Sequence, residues 1–282
     1  MPAPERFAVI GHPVSHSLSP RIHALFALQT GRVLRYEAID VPPGQLERQV
    51  RDFFVGGGRG LNVTLPHKQA VMGLLSRCSE AARRAMAANT LWSDPDGGLV
   101  GDNTDGLGLV RDLQENLGVP LAGRRVLLLG AGGAARGILA PLMRLSPREL
   151  IIANRDAARA EALAAMAHRQ GDDVVHAVAL GALGQLTATG FDLVLNATAA
   201  SLSSQLPQLP SELIGPRTVC YDLAYSLRET SFVGWARRHG ASAAYDGLGM
   251  LVEQGVISIR HWTGVDPDTA VMRRALEAAL GL

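Results

Sequence analysis

Lys68 is the only lysine among the 27 basic residues of this 282-residue chain; all the others are arginine. Wherever a positive charge needs only to be soluble or paired, the sequence writes Arg, so the exception points to work that a guanidinium cannot do. Giving up a proton is such work. Arg stays charged at any ordinary pH, whereas an ε-ammonium carries three rotatable donors and a pKa that burial or a neighbouring charge can move. Lys68 ends the run Leu61-Asn62-Val63-Thr64-Leu65-Pro66-His67-Lys68, which passes from strand-like residues into an amide, a hydroxyl and a proline, with a helix to follow. Ligands in α/β proteins gather at strand ends of this kind. Downstream, Gly101-Asp102-Asn103-Thr104-Asp105-Gly106 forms a second polar cluster. An Asp beside a Lys can hold it in place and share proton transfer, as carbonyl reduction or alcohol oxidation requires, and Asp105 is the candidate partner. A plainer reading of the same residues stands beside this one: Asp102 or Asp105 caps the next helix.

A third polar run, His12-Pro13-Val14-Ser15-His16-Ser17-Leu18-Ser19-Pro20, precedes a helix near the start. In an extended segment the hydroxyls of Ser17 and Ser19 face the same way and could clamp a carboxylate or a polyol. A Ser before Pro at a helix start is equally an ordinary N-cap. His12, His16 and His23 lack a Cys or acid to complete a ligand set, so no metal is expected.

Gly130-Ala131-Gly132-Gly133-Ala134-Ala135 follows a buried strand and opens a helix. Small residues in this pattern let the backbone turn tightly and approach a pyrophosphate at the positive helix N-terminus. At the end of the next strand stands Asn154-Arg155-Asp156, with Arg159 one helical turn on. Arginine there suits a ribose 2′-phosphate, which favours NADP over NAD. Asp156 either caps the following helix or holds a ribose hydroxyl and admits NAD.

These constellations need elements to hold them. Strand-length apolar runs alternate with helical patterns, the mark of an α/β protein with mainly parallel sheets. Strands are expected at 6–10, 34–39 and 60–63, with helices at 20–30 and 45–55. A second series runs through strands at 126–129, 149–153, 174–178, 193–196 and 219–223, with helices at 131–145 and 156–169. Residues 202–216 read as a loop, and helices at 250–262 and 267–280 close the chain. The reading is an N-terminal α/β substrate domain (1–104), a Rossmann-like nucleotide domain (105–244) and C-terminal helices (245–282).

Composition narrows the class. Net charge is +1, which offers no basic field for nucleic acid. Mean hydropathy is +0.12, and no apolar run approaches membrane-spanning length. Cys78 and Cys220 lie far apart in the sequence, as in a protein of the reducing cytoplasm. The N-terminus has no signal-peptide pattern. A cytoplasmic small-molecule enzyme, monomeric or homodimeric, is expected.

Taken in order, the polar runs resemble the shikimate dehydrogenase family. The resemblance spans Ser17-Leu18-Ser19-Pro20, Asn62 to Lys68, Ala88-Asn89-Thr90, Gly101 to Gly106, Gly130 to Ala134 and Asn154-Arg155. It continues through Asn196-Ala197-Thr198, Tyr221-Asp222-Leu223-Ala224-Tyr225 and Asp246 to Gln254. It implies NADPH-dependent reduction of 3-dehydroshikimate to shikimate in the pathway to chorismate and the aromatic amino acids. Lys68 and Asp105 would be catalytic. Ser17 and Ser19 would bind the substrate carboxylate, and Asn62, Thr64, Asn89 and Gln254 the ring hydroxyls. Gly130, Ala131, Gly132, Gly133 and Ala134 would cradle the pyrophosphate, and Asn154, Arg155 and Arg159 the adenosine phosphate. Thr198, Leu223, Tyr225 and Gly247 would lie near the nicotinamide, and the C-terminal helices would return to the substrate domain. The chain departs from the family at Asp156, where a Thr is common, and at Ala199-Ala200-Ser201, where Ser-Ser-Gly is usual. Both departures touch the cofactor end. Two other readings are an NAD-dependent quinate/shikimate dehydrogenase and a non-catalytic sensor of pathway metabolites.

Overall fold

The structure, a computed structural model, describes residues 3–198 and 208–281. The run 199–201 lies outside the described residues, as does part of the expected 202–216 loop. The chain forms two compact units: Met1–Arg111 with Leu251–Leu282, and Asp112–Met250. The borders expected from the sequence are 104/105 and 244/245.

In the first unit, β1 (Glu5–Gly11), α1 (Ser19–Thr30), β2 (Leu34–Asp40), α2 (Leu46–Val55) and β3 (Gly58–Val63) alternate. β1 pairs in parallel with both β2 and β3. β1 is buried through its second half because both sheet faces are covered. On one face Ala8 and Ile10 pack with Val50, Phe53, Leu61 and Val63; on the other, Phe7 stacks on Trp262 at 4.9 Å. α1 stops at Gly31, whose φ of 66° is the left-handed C-cap geometry and whose N–H reaches the Ala27 carbonyl.

The rest of this sheet departs from a purely parallel plan. β4 (Arg77–Cys78), α3 (Glu80–Ala85), β5 (Thr90–Ser93) and β6 (Leu99–Asp102) follow, then α4 (Asp105–Arg111). The order is β2-β1-β3-β5-β6-β4, with β5 antiparallel to both neighbours. The short β5–β6 hairpin carries Thr90 and Asp102 opposite one another and so sets two polar clusters side by side.

The second unit is parallel throughout. It contains β7 (Arg125–Leu129), α5 (Gly133–Met143), β8 (Glu149–Asn154), α6 (Ala157–His168) and β9 (Val175–Ala179). β10 (Leu193–Asn196), β11 (Val219–Asp222), α7 (Ser231–Arg238) and β12 (Ala243–Tyr245) complete it. The order β12-β11-β10-β7-β8-β9 reverses direction between β7 and β10, as in the doubly wound dinucleotide fold. Leu127, Leu129, Ile151, Val194, Phe232 and Trp235 form part of its core.

α8 (Leu248–Thr263) starts in the second unit and continues in the first, and α9 (Thr269–Leu280) lies against α1. The residues at which the chain leaves and re-enters are both bonded to Tyr221. Its O–H donates to Asp112 Oδ2 at 2.6 Å, and its oxygen accepts the Met250 N–H at 3.3 Å. Burial and the Asp112 carboxylate hold the Tyr221 pKa well above the ordinary tyrosine range, so this donor keeps its proton.

Candidate active site

Lys68 lies in the turn after β3, and Asp105 is the first residue of α4. Lys68 Nζ donates to Asp105 Oδ2 at 2.5 Å, with side chains only 12% and 5% exposed. Asp105 Oδ1 accepts the Asn89 amide at 2.8 Å. The helix-capping alternative therefore does not describe this carboxylate: the α4 entrance is served instead by Asn103 Oδ1, which accepts the Asp105 N–H at 3.2 Å. Asp102 faces elsewhere, accepting from Ser79, His261 Nε2 and the Asn103 N–H. Its burial opposes the charge, yet those hydrogen bonds hold its pKa below the usual carboxylate range.

Asn89 connects this ion pair to the other expected substrate residues. Its Nδ2 lies 3.0 Å from Thr104 Oγ1 and 3.4 Å from Gln254 Oε1, and its Oδ1 accepts the Thr104 N–H at 2.8 Å. Asn62 Nδ2 donates to the Asn89 carbonyl at 3.1 Å. Lys68, Asp105, Asn89, Asn62 and Gln254 are thus one continuous buried network within the first unit. A network of this kind fixes its members because each unmade bond in a low-dielectric setting is costly.

Ser17, Ser19 and Thr64 are not joined to this network by a side-chain hydrogen bond among the described residues. The N-cap of α1 is Leu18, with no side-chain cap. Ser19, 7% exposed, is the first helical residue, and its hydroxyl has no hydrogen-bond partner among the described residues. Ser17 Oγ accepts the Ser19 N–H at 3.3 Å. Ser19 is therefore not the cap that the Ser-Pro pattern allows, and its hydroxyl is available to a ligand. Thr64 follows β3, held by its N–H to the Ile10 carbonyl at 2.8 Å. The two runs follow the carboxyl ends of neighbouring parallel strands, β1 and β3.

In the second unit, the expected cofactor residues lie at or after the carboxyl ends of strands. Gly130 follows β7, Asn154 ends β8, Thr198 follows β10, and Leu223 and Tyr225 follow β11. Gly247 follows β12, its N–H bonded to the Ala224 carbonyl at 3.0 Å. Gly130 has φ 103°, and a Cβ there would meet the Ala197 carbonyl oxygen at 3.0 Å. Gly132, the N-cap of α5, brings no side-chain cap, so the first N–H groups after Ala131, at Gly133 and Ala134, remain open to an anion. A side-chain-free cradle at an uncapped helix start beside the sheet's switch point fits a dinucleotide pyrophosphate. Asp156 caps α6 through the Ala158 N–H at 3.1 Å and lies 3.5 Å from Arg159 Nε. Arg155 is exposed and has no ion pair among the described residues.

Several members of the first network are not singled out by the sequence. Thr90 and Thr104 sit inside the quoted motifs, but nothing in those motifs gives their roles. Ser258 bonds Thr90 at 2.8 Å and the Gln254 carbonyl at 3.0 Å; its four-residue spacing from Gln254 on a helix is the signal that could have found it. Tyr36 O–H donates to Asn62 Oδ1 at 2.8 Å from a strand distant in sequence. His23, weighed above only as a metal ligand, is buried in a stack with Tyr36 at 3.9 Å.

The comparisons with known proteins agree along the whole chain. Family models for the shikimate dehydrogenase substrate binding domain, for shikimate/quinate 5-dehydrogenase and for the shikimate 5'-dehydrogenase C-terminal domain match residues 9–91, 112–207 and 247–277. A shikimate dehydrogenase (NADP(+)) of Methylococcus capsulatus is 50% identical over 286 residues, covering 99% of this chain and 98% of the relative. One from Alkalilimnicola ehrlichii is 50% identical over 273 residues, 96% and 98%. The shikimate 5-dehydrogenase of Thermus thermophilus, solved with NADP(H) and shikimate, superposes with TM-score 0.84 at 36% identity, covering 98% of this chain and 99% of that one. Identity at this level over nearly full length accompanies the two-unit fold and the ordered motifs, and the chain belongs to the shikimate dehydrogenase family.

Proposed function

We propose that the chain reversibly reduces 3-dehydroshikimate to shikimate with NADPH, with Lys68 as proton donor to the ketone oxygen. The observation that carries this reading is the buried 2.5 Å Lys68–Asp105 pair, fixed from its far side by Asn89. NADPH, when bound, would supply the hydride that reduces the ketone carbon. As charge develops on the oxygen, Lys68 passes it a proton, and Asp105 keeps the ammonium aimed and stabilised. Asn62, Thr64, Asn89 and Gln254 present amides and hydroxyls suited to a polyol ring, and Ser17 and Ser19 present hydroxyls suited to its carboxylate. Such contacts turn the encounter into a prepositioned one. In the oxidative direction the same lysine, deprotonated, takes the alcohol proton.

Gly130, Ala131, Gly132, Gly133 and Ala134 would hold the pyrophosphate. Asn154, Arg155 and Arg159 would hold the adenosine phosphate, with Thr198, Leu223, Tyr225 and Gly247 toward the nicotinamide. Arg155 supports NADP over NAD, and so does the use of the Asp156 carboxylate as a helix cap. Unpaired cysteines and the absence, among the described residues, of a helix fit to cross a membrane support work in the cytoplasm. A monomer or homodimer acting on small molecules is the proposed state.

Steady-state oxidation of shikimate with NADP and with NAD, followed by nicotinamide absorbance, tests the function. Lys68→Arg and Lys68→Ala should lower kcat by about 10²–10⁴ with far smaller changes in shikimate binding. Turnover retained in Lys68→Arg would remove the proton-transfer role. Shikimate binding with no absorbance change in the native chain would point to a sensor.

A further inference from the structure

We infer that Tyr36 is a positioning residue that fixes the orientation of the Asn62 carboxamide toward the substrate; the inference rests on the assignment of Asn62 to the substrate site. A backbone carbonyl can only accept, so the Asn62 atom 3.1 Å from the Asn89 carbonyl must be Nδ2. The same nitrogen faces Thr90 Oγ1 at 3.2 Å and Ser258 Oγ at 3.0 Å. Ser258 gives its own proton to the Gln254 carbonyl at 3.0 Å, so toward Asn62 it is an acceptor. The amide therefore has its donor end among acceptors and its Oδ1 on the opposite side. That oxygen needs a donor, and the fold delivers one from a strand far away in sequence.

That donor is the Tyr36 hydroxyl, 2.8 Å from Oδ1. The Tyr36 ring is in turn held in an aromatic stack. His23, 1% exposed, lies flat on it, 3.9 Å between centroids with 6° between planes, and has Phe26 edge-on at 5.1 Å and Trp262 at 5.6 Å. Burial lowers the His23 pKa to about 3, so the ring that Tyr36 rests on is neutral in the physiological range. The stack fixes the plane of the Tyr36 ring and with it the direction of the hydroxyl.

Tyr36→Phe keeps the ring stack and removes only the hydroxyl. It should raise the KM for shikimate roughly tenfold, leave the KM for NADP unchanged and change kcat less than KM. In an Asn62→Ala background the same substitution should change the shikimate KM no further, because its target is gone. In the free protein the Asn62 carboxamide proton resonances should shift when the hydroxyl is removed. An unchanged shikimate KM in Tyr36→Phe, unshifted Asn62 resonances, or a full effect persisting in Asn62→Ala would each overturn the inference. If Asn62→Ala alone leaves the shikimate KM unchanged, the assignment of Asn62 to the substrate fails, and the positioning role fails with it.

Discussion

The Asp105 carboxylate divides its oxygens between a cation, Lys68, and an amide, Asn89. Neutralising it should separate the two jobs. Asp105→Asn can still meet Asn89 but cannot pair with an ammonium, so kcat should fall by about 10²-fold or more while shikimate affinity, measured by direct titration, moves by a few-fold. An unaltered kcat would leave the carboxylate with a structural task only. His23 makes a second prediction at this scale, in stability. Its folded pKa is lowered from 6.5 to about 3 by burial. The unfolded chain thus binds the proton that the folded chain refuses, and stability rises with pH inside that window. The contribution is complete above 6.5 and is lost as pH falls toward 3, with a slope approaching 1.4 kcal/mol per pH unit. Urea titrations at stepped pH should show this slope in the native chain and a shallower one in His23→Phe.

Elements explain which parts of the site the sequence revealed. Gly130 to Ala134 could be read because the small residues, the strand before and the helix after all arise locally, and the parallel order of the second sheet then puts the remaining cofactor candidates at neighbouring strand ends. Lys68 could be read because its residue type is singular. Tyr36 and His23 could not. Asn62 is reached from Tyr36 only through the β1–β2 and β1–β3 register, and aromatic residues at such spacing read as ordinary core. The β5–β6 hairpin was hidden for a related reason: four-residue strands carry too little periodicity to stand out from turns. At the start of α6 Asp156 makes the cap that one of the two open readings expects, and the other can be tested. Asp156→Thr should keep a side-chain cap while removing the carboxylate beside Arg155 and Arg159. The KM for NADP should drop and the NADP preference over NAD should widen, with thermal stability nearly unchanged. A narrower preference would return Asp156 to the cofactor site. Gly130→Ala should act oppositely, raising the KM for NADP, because φ 103° and the Ala197 carbonyl at 3.0 Å exclude a side chain.

Across the molecule, each unit has its own sheet and apolar core, while the chain passes between them at 111/112 and 250/251. The first residue after one crossing and the last before the other share a single buried hydroxyl, that of Tyr221. Two peptide segments far apart in sequence are thereby joined to β11, the strand whose end also carries Leu223 and Tyr225. Asp112 is held further by Asn116 Nδ2 at 2.9 Å, so it retains a partner when the tyrosine hydroxyl is removed, whereas the Met250 N–H loses the oxygen it meets. Tyr221→Phe should therefore destabilise the protein by about 1–3 kcal/mol, a large fraction of the net stability of a typical domain. The Lys68–Asp105–Asn89 network lies entirely in the first unit, so the shikimate KM of the folded variant should stay near its native value. Urea unfolding followed by far-ultraviolet circular dichroism measures the first effect and steady-state assays well below the transition measure the second. Native stability in the variant would show that the buried hydroxyl makes no net contribution to the stability of the fold.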